Sequence, residues 1–206
     1  MSETVLLLHG LMMRGPMLLP LAGRLRRRGF RPLLFGYPTL WKAPSRAMDR
    51  LAMRLYEIGQ DPVHIVAHSL GGLIAIETLN RYQQLPSGRV VCLGAPIAGS
   101  SAARGLADKG FGFVAGKSGP LLRGGRIQLP ERRQIGAVAG SRSMGLGKYF
   151  GGLDGINDGT VGMWETRLPG LTDHVVVPAS HSGLILSPRV AEVTRTTCGS
   201  PSSDSR

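Results

Sequence analysis

The chain has 206 residues, 42% of them hydrophobic and 18% charged, which makes one folded domain the expectation and argues against disorder. It carries 25 basic and 13 acidic residues, a formal net charge of +12, and two cysteines, Cys92 and Cys198, that stand far apart and outside any CxxC pair. A disulfide scaffold and a cysteine zinc site are thereby excluded, and a reducing compartment fits. No apolar run approaches the ~20 residues of a membrane span. The early run Val5 to Leu8 lacks a basic n-region and is cut short by His9-Gly10, so a cytoplasmic protein is expected.

Short β-rich apolar runs alternate with helix-period segments, the pattern of a parallel sheet with crossover helices. The first strand is expected at 5–9, followed by a helix that opens at Gly15-Pro16, runs to Arg28 and ends at Gly29. A second strand at 31–36 leads through a loop holding Tyr37, Pro38 and Trp41. From Ser45, Met48, Leu51, Ala52, Leu55 and Ile58 follow the i, i+3, i+4, i+7 spacing of a surface helix, closed by Gly59. Strand three at 63–68 runs into Ser69-Leu70-Gly71-Gly72 and a helix over 73–81; strand four is expected at 89–93. Candidates for strands five and six lie at 135–139 and 174–177, with a closing helix at 188–196. The stretch 95–131 fits no simple pattern, but a structureless loop of that length is unusual, so a helix or two over one end of the sheet is expected. The fold class is α/β, a mostly parallel sheet of about six strands with helices on both faces. Residues 1–197 form one domain and 198–206 a polar tail.

The sharpest chemical signal is Ala67-His68-Ser69-Leu70-Gly71-Gly72 between a strand and a helix. A nucleophilic serine on such a turn needs small residues two positions either side, and Ala67 and Gly71 supply them. The turn also aims the free N–H groups of a helix N-terminus at the reacting centre. A serine needs a base, and the base needs an orienting acid. His181, in the loop Ala179-Ser180-His181-Ser182-Gly183 after the last strand, is the expected base, and His174, at the start of that strand, the alternative. Asp158, in Asn157-Asp158-Gly159-Thr160-Val161, is the expected acid; Asp154 and Asp173 compete with it. The backbone N–H groups of Leu11 and Leu70 would form the oxyanion hole, with His9 holding the Leu11 loop. Apolar side chains near the turn, Met12 and Ile97 among them, with Leu11, Met13 and the 111–122 stretch, are expected to line the substrate pocket.

His-Gly after the first strand, AHSLGG, GAPIAGS after the fourth, NDGTV and SHSGLILSP together resemble the α/β-hydrolase superfamily, in its small bacterial lipase and esterase branch, which includes lipid-anchor deacylase-like enzymes. The similarity runs from about Val5 to Val193; Ala67 departs from the glycine of the broader pattern, as it does in some short lipases. The resemblance implies a minimal α/β-hydrolase fold without a large cap. It also implies a serine hydrolase with Ser69 as nucleophile, Asp158 as acid and His181 as base, cleaving a carboxylic ester through an acyl-enzyme. No metal or organic cofactor is called for, and a monomer acting on a small-molecule or lipid ester is expected. The rivals are acyl transfer, or thioester or amide cleavage, by the same residues, and a non-catalytic basic binding module on the same scaffold.

Arg24, Arg26, Arg27, Arg28 and Arg31 cluster around the end of the first helix, where the dipole already favours cations. The cluster can be a solvated face or a contact with an anionic membrane surface. No nucleic-acid motif accompanies it, so no nucleic-acid partner is expected.

Overall fold

The computed structural model describes residues 2–59, 62–144, 153 and 155–198. Each of its six strands begins within a residue of the expected position: β1 Thr4–Leu8, β2 Arg31–Phe35, β3 Val63–His68, β4 Val90–Leu93, β5 Ile135–Gly140 and β6 Asp173–Val177. They pair in the order β2-β1-β3-β4-β5-β6, and every pairing is parallel. The near-continuous apolar runs have this cause, since a sheet covered on both faces buries both sides of each central strand.

Alternate residues feed two cores. Leu6, Leu8, Ile65, Ala67 and Cys92 face the helices α2 (Pro44–Ile58) and α3 (Leu70–Arg81). Val5, Leu7, Val66, Val91 and Val138 face α1 (Leu19–Arg26) and the last helix, Pro188–Cys198. Pro44 at the first turn of α2 sets φ where no intrahelical N–H is needed, and Ala47, Met48, Leu51, Ala52 and Leu55 form its buried stripe. The segment expected as one helix from Gly15 is a 3-10 turn, Gly15–Leu18, leading into α1, because Pro20 cannot donate the backbone bond that would continue a single α-helix.

Between β4 and β5 the irregular stretch folds as α4 (Ser101–Asp108), a kinked 3-10 segment Gly112–Ser118 and α5 (Gly119–Arg123). Ser100 caps α4 by accepting from the Ala103 N–H at 3.2 Å. The last helix is α6, Pro188–Cys198, so Cys198 is helical and buried rather than the start of the tail; 199–206 lie outside the described residues. Cys92 and Cys198 form no disulfide, and burial raises both thiols to about 12. No described helix is long and apolar enough to cross a membrane.

Because the strands are parallel, their C-terminal ends share one edge. Strand order reverses at β1, so the loops after β1 and β3 open a crevice there, where α/β sheets place ligands.

Candidate active site

Ser69 joins β3 to α3 with φ 53° and ψ −122°, a backbone conformation that a non-glycine residue adopts at a cost of about 1–3 kcal/mol. Its N–H donates to the Leu93 carbonyl at 2.9 Å, which ties the turn to β4. The helix starts at Leu70, three residues earlier than expected, although Gly71 and Gly72 are poor helix formers. Close packing overrides propensity: a Cβ on Gly71 would lie 2.8 Å from the His9 carbonyl oxygen and 3.0 Å from Leu8 Cβ. Only glycine lets α3 enter this close to β1.

His9 organises the loop beside Ser69. Its ring stacks on Tyr37 with centroids 4.5 Å apart, and the Tyr37 hydroxyl donates to the His9 carbonyl at 2.7 Å. The Tyr37 N–H donates to His9 Nε2 at 3.3 Å, which places the ring proton on Nδ1, 3.0 Å from the Gly10 carbonyl. Burial lowers the His9 pKa, so this ring stays neutral. Leu11 follows, and neither its N–H nor that of Leu70 donates to another described residue.

Asp158 is 1% exposed, and its Oδ1 accepts from the N–H groups of Thr160 at 2.9 Å and Val161 at 2.7 Å. Its Oδ2 is left to His181 Nδ1 at 2.8 Å, while the His181 N–H donates to the Asp158 carbonyl at 2.9 Å. Two bonds to the turn and two to His181 fix the pair. His174, the alternative base, points away from it: its Nε2 meets Thr166 Oγ1 at 2.9 Å. Asp173 binds the His174 N–H at its strand end, and Asp154 lies outside the described residues.

Ser69 and His181 line one cavity of about 230 Å³, with Leu11, Met13, Leu106, Val114, Ala115 and Leu122 as its apolar wall. Two expected pocket residues are not there. Met12 takes φ 57° and turns outward, 65% exposed, because its N–H is drawn to Thr39 Oγ1 at 3.1 Å. Ile97 is fully buried in the core beneath the site, where its N–H and carbonyl bind Ala95 and Ile127. The wall comes instead from α4, the 112–118 segment and α5, through Ala103, Leu106, Val114, Ala115 and Leu122.

Three residues that sequence reasoning missed hold this arrangement. Glu165, fully buried, accepts from the Ser101 N–H, from Ser101 Oγ at 2.6 Å and from the Gly162 N–H at 2.7 Å, joining the loop after β4 to the loop of Asp158. Gly94 has φ 56°, and a Cβ there would sit 3.0 Å from Asp158 Oδ2 and 3.2 Å from His181 Nδ1. His68 packs under His181 and lines the cavity floor. A lone Glu or Gly carries no local pattern, and only the adjacency of His68 to Ser69 could have signalled it.

The alpha/beta hydrolase family model matches residues 5–197. The chain belongs to that family. This alpha/beta hydrolase also superposes on solved structures that share little sequence with it. The mature form of the Bacillus licheniformis lipase BlEst2 is 23% identical, with a TM-score of 0.72 over 95% of this chain and 91% of that one. The metagenomic carboxyl esterase MGS0156 is 18% identical at a TM-score of 0.72, covering 93% and 73%. RedJ, a thioesterase of the Streptomyces coelicolor prodiginine pathway, is 12% identical at 0.62, covering 95% and 85%. At these identities the likeness is one of fold. A comparison with curated proteins finds no match. Among the described residues no group of three or more His, Cys, Asp or Glu side chains could hold a metal ion.

Proposed function

We propose that this alpha/beta hydrolase is a cytoplasmic serine hydrolase that cleaves carboxylic esters through an acyl-enzyme. The observation that supports the reading most is the 2.8 Å contact between His181 Nδ1 and Asp158 Oδ2 beside the cavity that Ser69 lines. With Nδ1–H given to Asp158, His181 Nε2 is the free base. Ser69 Oγ attacks the ester carbonyl carbon as Nε2 takes its proton, and the carbonyl oxygen becomes an oxyanion held by the N–H groups of Leu11 and Leu70. Asp158 stabilises the imidazolium. Collapse of the tetrahedral intermediate breaks the bond to the alcohol oxygen, which leaves with the proton from Nε2. Water then repeats the sequence on the acyl-enzyme, giving the acid and restoring Ser69.

The cavity wall carries no charged side chain, which suits an uncharged acyl group. The same residues could open a thioester, the activity named for RedJ. A series of p-nitrophenyl esters of increasing chain length, run beside an acyl thioester and an anilide, tests the reading. Ester turnover above that of the thioester is expected, and thioester turnover well above every ester would replace the reading with a thioesterase.

A further inference from the structure

The cavity walls have an outer side. Leu11 and Met13 line the cavity while Met12 between them is 65% exposed; Gly112 and Val114 line it while Phe113 is 75% exposed. Phe111 is 49% exposed with its ring 6.3 Å from that of Phe113. Trp41, 79% exposed, joins the same rim, because the Lys117 N–H donates to the Leu40 carbonyl at 2.9 Å and Ser118 Oγ to the Thr39 carbonyl at 2.6 Å. Large apolar side chains gathered at a cavity mouth mark a surface that something covers.

The charges around the rim say what. Segments 12–14, 40–43 and 108–117 carry the cations Arg14, Lys42, Lys109 and Lys117 against the single carboxylate of Asp108, all of them exposed. A second copy seated there would bring these cations against one another. An anionic lipid surface supplies the opposite charge, and lets aromatic side chains settle at the headgroup level. It would also bring ester substrate to the mouth, where a protein would seal it.

The arginine cluster cannot serve this purpose. Arg26 ends α1 and Arg31 begins β2, so both sit at the N-terminal edge of the sheet, opposite the site. Part of that cluster is engaged locally: Arg28 binds Glu192 at 3.1 Å and the Arg24 carbonyl at 3.2 Å.

We propose that the rim formed by Met12, Trp41, Phe111 and Phe113, with its flanking lysines, docks this enzyme on an anionic membrane surface, cavity mouth toward the lipid. The substrate side of this inference rests on the ester-hydrolase reading; the binding itself does not. The test is co-sedimentation with phosphatidylcholine vesicles and with vesicles containing phosphatidylglycerol, at low and high salt. The wild-type chain should sediment with the anionic vesicles, less so at high salt. A Trp41→Ser, Phe113→Ser double variant, with its circular dichroism unchanged, should lose at least about tenfold in partition. An Arg26→Gln, Arg27→Gln variant should keep most of its binding. Equal sedimentation of the rim variant and the wild type, greater loss in the arginine variant, or no vesicle binding at all overturns the proposal. So does a wild-type dimer that the rim substitutions convert to monomer, since the rim would then be covered by a second copy. Vesicle binding without hydrolysis of any soluble ester would sink the ester-hydrolase reading and leave the docking surface standing.

Discussion

The Nε2 of His68 lies 2.9 Å from the backbone carbonyl of His181, and the two imidazoles stand 4.6 Å apart, so the residue before the serine supports the residue proposed as the base. The ring is fully buried and neutral: burial first, then the neighbouring His181, lowers its pKa to about 3. It therefore donates Nε2–H to the carbonyl and keeps a lone pair on Nδ1, a buried atom with no hydrogen-bond partner among the described residues. Gln can present a donor at nearly the same place; Leu cannot. His68→Leu should lower kcat by roughly 5- to 100-fold with little change in KM, since a buried carbonyl left without a donor costs about 1–3 kcal/mol. His68→Gln should restore most of that loss. Steady-state kinetics on a short soluble ester checks both, and equal defects in the two variants would remove the hydrogen bond from the account.

The same histidine predicts an acid-side loss of stability. Its folded-state pKa lies below the unfolded value of 6.5, so between pH 6.5 and about 3 the unfolded chain binds a proton that the folded chain refuses. Above pH 6.5 neither form is protonated and the group contributes nothing. Each pH unit below that window's upper end costs about 1.4 kcal/mol for one such histidine. Burial lowers His9, His64 and His174 as well, which adds to the slope. Urea unfolding at pH 7.0 and pH 5.5 (roughly one unit below the unfolded histidine value) should show the wild type losing stability with acid, and His68→Gln losing measurably less.

How much of this was readable without coordinates depends on what each feature leaves in the chain. β3 and the turn at Ser69 were legible because a buried strand, a serine between small residues and a glycine pair are local patterns. Asp158 and His181 could be ranked from chain order and loop position alone, and the structure brings them to 2.8 Å. The pocket wall could not be ranked. Whether Met12 or Met13 faces the cavity depends on a positive φ at Met12 and a hydrogen bond to Thr39, 27 residues away. Glu165 is invisible for the same reason, since its donors are Ser101 and Gly162 and no spacing rule links them.

Glu165 should be costly to change. Both its oxygens accept from N–H or O–H groups, so Glu165→Gln turns one acceptor into a donor facing a donor. The expected loss is about 1–3 kcal/mol of stability, read as a fall in Tm, with weaker ester turnover because the Asp158 loop is no longer tied to Ser101. An unchanged Tm would mean that the two loops do not depend on this carboxylate.

Gly94→Ala should damage activity more than stability. The left-handed backbone costs an alanine about 1–2 kcal/mol, while its methyl would press on Asp158 Oδ2 and His181 Nδ1 within 3.2 Å. Loss of kcat of at least about tenfold with a folded protein is expected; wild-type kcat would show that the pair can yield.

The choice between the two candidate bases is testable by substitution. His181→Ala should reduce kcat by on the order of 10⁶ and Asp158→Asn somewhat less. His174→Ala, whose Nε2 meets Thr166 Oγ1 near its strand end, should stay active. An inactive His174→Ala beside an active His181→Ala would reassign the base.

Ser69, strained on its turn beside the His181–Asp158 pair, is the proposed nucleophile. A fluorophosphonate probe followed by peptide mapping tests it most directly. One label is expected on the wild-type chain, at Ser69, and none on Ser69→Ala. Equal labelling of the Ser69→Ala chain, or a folded wild-type chain that takes no label, would contradict it.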